Sequence, residues 1–247
     1  YHDNGATMTA PNQIVDGDDL PIANVQLALM DATCAAPADP DSTGALTSLT
    51  TTTESTMGYY EFTNLIPGTY CVVETQPTNY NDGAEVVCDV NGTASGDISI
   101  NDQISSVDLT QGYDAVTCDF LEEGVNVMGN VYHDNGLVGT NPDQIVNTAE
   151  DAPISDVILQ ILDATCTTPY DPNTSGLDTR LTDSDGHYEF LNLPLDQYCV
   201  KETQPTNFND GEDMQCDVNG TLSGTAAQDD SISAIDVSGG IDAITCD

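Results

Sequence analysis

The sequence predicts an all-β protein built from two tandem antiparallel β-sandwich domains. Three observations carry that expectation. The chain repeats itself once, its apolar residues alternate in short runs, and turn-forming residues separate those runs. Tyr1-His2-Asp3-Asn4-Gly5 returns as Tyr132-His133-Asp134-Asn135-Gly136, and Asp31-Ala32-Thr33-Cys34 returns as Asp163-Ala164-Thr165-Cys166. Glu74-Thr75-Gln76-Pro77 and Cys88-Asp89-Val90-Asn91-Gly92 reappear 128 residues later. A unit of roughly 120 residues exceeds the period of solenoid repeats, so each copy is expected to be a domain with its own core. The expected boundaries are 1–123 and 124–247.

The elements follow in order. Val25, Leu27 and Leu29 alternate with Gln26 and Ala28, and Val157, Leu159 and Ile161 do the same, so each trio faces a core. A loop rich in Pro, Asp, Ser and Gly comes next. Residues 182–190 read as a hairpin turning at Asp185-Gly186, with Met57-Gly58 at that place in the first copy. Tyr70-Cys71-Val72-Val73-Glu74 and Tyr198-Cys199-Val200-Lys201-Glu202 read as a further strand, and 98–109 and 115–121 as two more. No window carries a helical apolar stripe longer than two turns. Residues 120–131 join the copies, with 125–131 expected as the first strand of the second domain.

Charge narrows the function. There are 42 acidic residues against two basic ones, Arg180 and Lys201, and the formal net charge is −40. Such a surface repels nucleic acid and anionic lipid. No apolar stretch approaches the length of a membrane helix, and no signal peptide is visible, as in a mature or trimmed chain. Salt bridges cannot offset the repulsion, so calcium is the expected counter-charge, since it takes hard oxygen ligands from Asp, Glu, Asn and backbone carbonyls. Asp outnumbers Glu 32 to 10, which suits short carboxylates in turns. A merely solubilising acidic surface is the plainer alternative and is compatible with calcium.

The eight cysteines divide four and four: Cys34, Cys71, Cys88 and Cys118 against Cys166, Cys199, Cys216 and Cys246. No spacing suggests zinc, so two disulfides per domain in an oxidising, extracellular setting are expected. Spacing alone leaves three pairings open in each domain.

One order of motifs runs through both copies. Tyr-His-Asp-Asn-Gly is followed by an acidic loop, Pro-Ile and an alternating strand. A Gly-Tyr/His-Tyr-Glu-Phe hairpin comes next, then Leu-x-Pro-Gly-x-Tyr-x-Val-x-Glu-Thr-x-Pro. This resembles the collagen-adhesin B-type domains, especially the calcium-binding B-domains of serine-aspartate repeat adhesins. The resemblance covers nearly all of both copies and is most specific in the hairpin and the Tyr-x-Val-x-Glu strand. It departs at Leu195-Asp196, which stand where the first copy has Pro67-Gly68. It implies a prealbumin-like sandwich of about seven strands, used as a cell-surface stalk or pilin module. Many relatives close each domain with a Lys–Asn isopeptide bond; with Lys201 as its one lysine this chain cannot do so twice, and disulfides are expected in that role. The prealbumin arrangement implies Cys34–Cys71 and Cys166–Cys199, leaving Cys88–Cys118 and Cys216–Cys246.

The resemblance also implies a calcium site at Asp3, Asn4, Asp18 and Asp19, and at Asp134, Asn135, Glu150 and Asp151 in the second copy. A solvated acidic loop is the alternative. An EF-hand is excluded by the spacing. A second candidate cluster joins Asn81, Asp82 and Asp89, with Asn209, Asp210 and Asp217 as counterparts; turn chemistry explains these residues nearly as well. No Ser elbow accompanies His2 or His133, so no catalytic residue is expected and the chain reads as non-enzymatic. Asn91, Asn173 and Asn219 head glycosylation sequons, and 50–53 with Ser55 and Thr56 offer O-glycan positions.

The sequence amounts to two repeat periods less one junction. It is expected to be either a slice of a longer array or a subunit whose neighbour supplies the first strand of domain one in trans, head to tail, giving a filament. The leading expectation is therefore a secreted or cell-surface structural protein, part of a calcium- and disulfide-stabilised filament, pilus-like fibre or stalk. The alternative is an adhesin module that binds a host protein or glycan through 35–53 and 167–181, where the copies diverge. A third reading is an accessory domain of a larger secreted enzyme.

Overall fold

The computed structural model describes residues 1–3, 13–15, 17, 19–38, 49–112, 116–134, 151–170, 179–228, 230–240 and 244–247. The chain forms two compact units, Tyr1–Glu123 and Gly124–Asp247. The described residues form strands, turns and irregular segments, with no helix among them.

In the first unit the strands are β1 (Gln26–Asp31), β2 (Leu49–Thr52), β3 (Thr69–Thr75), β4 (Asn81–Val90), β5 (Thr93–Ser95), β6 (Asp97–Ile100), β7 (Gln103–Asp108) and β8 (Val116–Glu123). They make two sheets, ordered β2-β1-β3-β7-β6 and β5-β4-β8. Alternation on the strands fills the space between them: Val25, Leu27, Leu29, Tyr70, Val72, Ile104 and Val107 from one side meet Cys88, Val90 and Phe120 from the other. The β4–β5 hairpin turns at Asn91-Gly92, whose φ values of 54° and 81° suit the two-residue turn that follows the strand twist.

The second unit contains β9 (Val125–Asn130), β10 (Tyr132–His133), β11 (Ala152–Pro153), β12 (Ile158–Asp163), β13 (Thr179–Leu181), β14 (His187–Leu193) and β15 (Gln197–Thr203). It continues through β16 (Cys216–Val218), β17 (Thr221–Ser223), β18 (Thr225–Gln228), β19 (Ser231–Asp236) and β20 (Ile244–Thr245). Its sheets are β13-β12-β15-β19-β18 and β14-β9-β20-β16-β17, with β10 paired to β11 apart from both.

The structure departs from the sequence expectation in three places. Residues 182–190 do turn at Asp185-Gly186, with Gly186 N–H donating to the Asp183 carbonyl at 3.1 Å. The arms do not pair with each other, however: β13 joins β12 and β14 joins β9, so the turn is a corner between sheets. Residues 98–109 form two strands, because Asp102 at φ 59° reverses the chain between β6 and β7. Finally, the antiparallel rule has an exception. β20 runs parallel to β9, with Ile244 opposite Val127, and His2 bridges Glu122 in the same sense. Parallel neighbours need a long connection, and here nearly the whole unit lies between them.

A strand needs a partner, and this accounts for where the units differ. β14 pairs with β9, whereas the corresponding segment of the first unit, 59–65, forms no strand. Its Tyr60 still donates to the Cys118 carbonyl at 2.8 Å, as Tyr188 does to that of Cys246 at 2.7 Å. Likewise β4 runs for ten residues against β8, but of its counterpart only the three residues of β16 are strand.

Two disulfides lie in each unit, Cys34–Cys71 with Cys88–Cys118, and Cys166–Cys199 with Cys216–Cys246. Each closes within one sheet: Cys34 follows β1 and meets β3, while Cys88 on β4 meets Cys118 on β8. Gly129 marks the tightest approach on β9, where an added Cβ would stand 1.6 Å from the Cys246 carbonyl oxygen. Gly129→Ala should therefore destabilise the second unit by about 1–3 kcal/mol, read from its calorimetric transition. A loss no greater than that of Gly211→Ala, where the new Cβ meets nothing within 4 Å, would contradict the β9–β20 pairing.

Candidate metal centre

Short pairings near the start of each unit bring four of the eight expected site residues into register. His2 N–H donates to the Leu20 carbonyl at 2.7 Å and Leu20 N–H to that of His2 at 3.1 Å. This antiparallel bridge sets Asp3 opposite Asp19, and both are buried. Asp3 Oδ2 accepts the Gln13 backbone N–H at 2.5 Å. In the second unit Tyr132 pairs with Pro153 and His133 with Ala152, which sets Asp134 opposite Asp151. Those two aspartates line a cleft of about 480 Å³ together with Glu202, Asp210, Asp213 and Asp230. Asn4, Asp18, Asn135 and Glu150 lie outside the described residues, as does Asn173.

The second expected cluster does not form as drawn. Asp89 lies seven residues beyond Asp82 on β4, roughly 20 Å along an extended strand. Its Oδ1 accepts the Gly92 N–H at 2.5 Å, and Asp217 holds Gly220 in the same way at 2.5 Å. These two aspartates are turn residues. Asn81 and Asp82 pair across β8 with Glu123 and Glu122 instead, while Asn209 and Asp210 line the cleft of the second unit. Asn91 and Asn219 sit exposed at hairpin tips, open to solvent as a glycan would require. The histidine rings pack against aromatic neighbours, His2 on Tyr80 at 4.8 Å and His133 on Phe208 at 5.1 Å.

Sequence reasoning missed the buried glutamates. Glu74 is 7% exposed and Glu122 is 2% exposed. A signal was present: Glu74 falls on the inward face of β3 with Val72 and Tyr70, two and four residues away. Burial in the sandwich raises both carboxyls above their usual range, Glu122 further through the charge of Glu74. Glu202, the counterpart of Glu74, is pushed up to about 7, first by burial and then by Asp230, Asp213 and Asp210. Surface aspartates behave oppositely: hydrogen bonds from Thr33 hold Asp31 low, and those from Thr167 and Thr165 hold Asp163 low.

Residues 9–121 match the family model of the SdrD B-like domain. A serine-aspartate repeat-containing protein F of Staphylococcus epidermidis is 32% identical over 181 residues, 69% of this chain. The match spans only 9% of that protein's length. Among solved structures, the minor pilin GBS52 of Streptococcus agalactiae is 13% identical, covering 95% of this chain and 86% of that one with a TM-score of 0.31. The TIE protein of Bacillus anthracis is 15% identical over 93% of this chain and 32% of its own, at 0.36.

The raised carboxyls give a signed pH dependence. Below pH 4.5 Glu202 is protonated whether the chain is folded or not. Between 4.5 and about 7 the folded state keeps a proton that the unfolded chain has released, so stability falls as pH rises through that window. The depressed surface aspartates act below pH 4 and leave this window alone. With chelator present, the second unit should melt higher at pH 5 than at pH 8. Glu202→Gln should flatten that difference; an unchanged slope would remove Glu202 from the account.

Proposed function

Since the chain belongs to the SdrD B-like domain family through its first unit, we propose that it is a structural module of a cell-surface or extracellular assembly. The observation that carries this reading is how each unit uses its polar residues. Each has two disulfides inside its sheets, turn aspartates satisfied locally, and an acidic pair at the entry of the fold, Asp3 with Asp19 and Asp134 with Asp151. In this reading calcium bridges those pairs together with the adjoining loop carboxylates and neutralises like charges. The disulfides fit an oxidising exterior.

Assembly by strand addition is part of the proposal. Residues 1–3 pair with 120–122 of β8, and Tyr1 N–H and Glu122 N–H donate at 2.7 Å to the Phe120 and Tyr1 carbonyls. Further back on β8, among the described residues, 116–119 have ladder partners on β4 alone. In the second unit the corresponding edge, on β20, is taken by β9. A strand of the β9 kind, from another stretch of the same array or from a neighbouring subunit, completes the first unit in this reading, giving a head-to-tail filament or array. Glycans on Asn91 and Asn219 would project from hairpin tips.

Electron microscopy of the native material in millimolar calcium, and again after chelation, tests this. Filaments with a repeat of one or two domain lengths that loosen on chelation are expected. Isolated two-domain particles under both conditions would overturn the filament and favour an adhesive module presented singly.

A further inference from the structure

Neither disulfide of the first unit crosses between its sheets, yet polar side chains from both sheets converge at one place. Glu74 comes from β3 and Asp102 from the β6–β7 turn, both in the larger sheet, and Glu122 comes from β8 in the smaller one. One carboxylate oxygen from each of the three lies within 4.8 Å of the other two. Calcium–oxygen distances of 2.3–2.6 Å put ligands on opposite sides of one ion about 4.6–5.2 Å apart, so this set is spaced to close on a single calcium ion.

The hydrogen bonding points the same way. Glu74 Oε2 is buried and accepts no hydrogen bond, on a residue only 7% exposed. Gln76 Oε1 and Asp102 Oδ1 are buried without a partner too. All three are acceptors, and a buried acceptor left unmatched costs about 1–3 kcal/mol. Two donors nearby serve other acceptors: Gln76 Nε2 donates to Glu122 Oε2, and Asp102 N–H donates to Glu85 Oε1 at 2.6 Å. Asp82, Glu85 and Asp102 form a second triad that shares Asp102, bringing five carboxylates together. The unit has no lysine or arginine, since Arg180 and Lys201 belong to the other.

We propose that Glu74, Asp102 and Glu122, with the Gln76 amide oxygen, bind one calcium ion that clamps the two sheets of the first unit together. This ligand set shares no residue with the Asp3–Asp19 pair, and the proposal does not depend on that pair binding metal. The rival occupant of the gap is a proton shared between Glu74 and Glu122.

Equilibrium dialysis of the full chain against calcium, with the bound metal counted, tests the assignment. Glu122→Gln and Glu74→Gln keep the side-chain shape and should each lose one calcium per chain, or weaken that site at least tenfold. Their melting in chelator should not drop. Asp102→Asn, on a turn, supplies the same readout should a glutamate variant fail to fold. Asp3→Asn with Asp19→Asn should leave this ion bound, so failure of the entry-pair reading is distinguishable from failure of this one. Wild-type stoichiometry and affinity in Glu122→Gln and Asp102→Asn would overturn the site and leave the shared proton as its occupant. Displacement by an equal concentration of magnesium would overturn the choice of calcium.

Discussion

A large excess of carboxylates with almost no basic side chains to meet them is the constraint on which the rest of the structure turns. The chain has 42 acidic residues and two basic ones, and both of the latter lie in the second unit. At the surface the deficit is handled locally. Asp31 Oδ1 accepts from Thr33 Oγ1 at 2.8 Å and Asp163 Oδ1 from Thr165 Oγ1 at 2.8 Å, and backbone N–H groups add to each. Short side chains in turns manage this because the turn itself presents the donors. Where the two sheets meet, Glu74, Asp102 and Glu122 lie against one another and the Gln76 amide.

The two kinds of crosslink then divide the work. Disulfides fasten strands within a sheet, restricting the unfolded chain over separations of 30 to 37 residues. Between the sheets stands an apolar core of ordinary make, Leu27, Val72 and Ile104 against Phe120 and Val90. The acidic cluster is where polar groups of both sheets meet. A divalent ion there would act across the core, a direction in which no disulfide acts.

Much of the fold was legible because strand alternation is a local signal. Val25, Leu27 and Leu29 announce β1, and all three are buried. The four sulfur pairs are those implied by the family resemblance, although spacing left them open. What hid was decided by partners distant in sequence. Asn81 to Val87 is polar enough to read as loop, and becomes strand because β8 lies beside it. The acidic site was half visible. The Asp-Asn and Asp-Asp segments stand out as motifs, and register joins Asp3 to Asp19. Glu122 was concealed in the run Phe120-Leu121-Glu122, where three successive residues are buried, and Asp102 in a turn whose partners come from other strands.

The central claim is that bound divalent cations, beyond general ionic screening, hold these acidic sandwiches together. Screening acts through ionic strength alone, whereas a bound ion stabilises in proportion to the logarithm of its concentration above its dissociation constant. The direct test is the melting temperature of the intact chain across a calcium titration, set against sodium chloride at matched ionic strength. The account predicts a rise with calcium that continues logarithmically and that sodium does not reproduce. Superimposable curves for the two salts would contradict it.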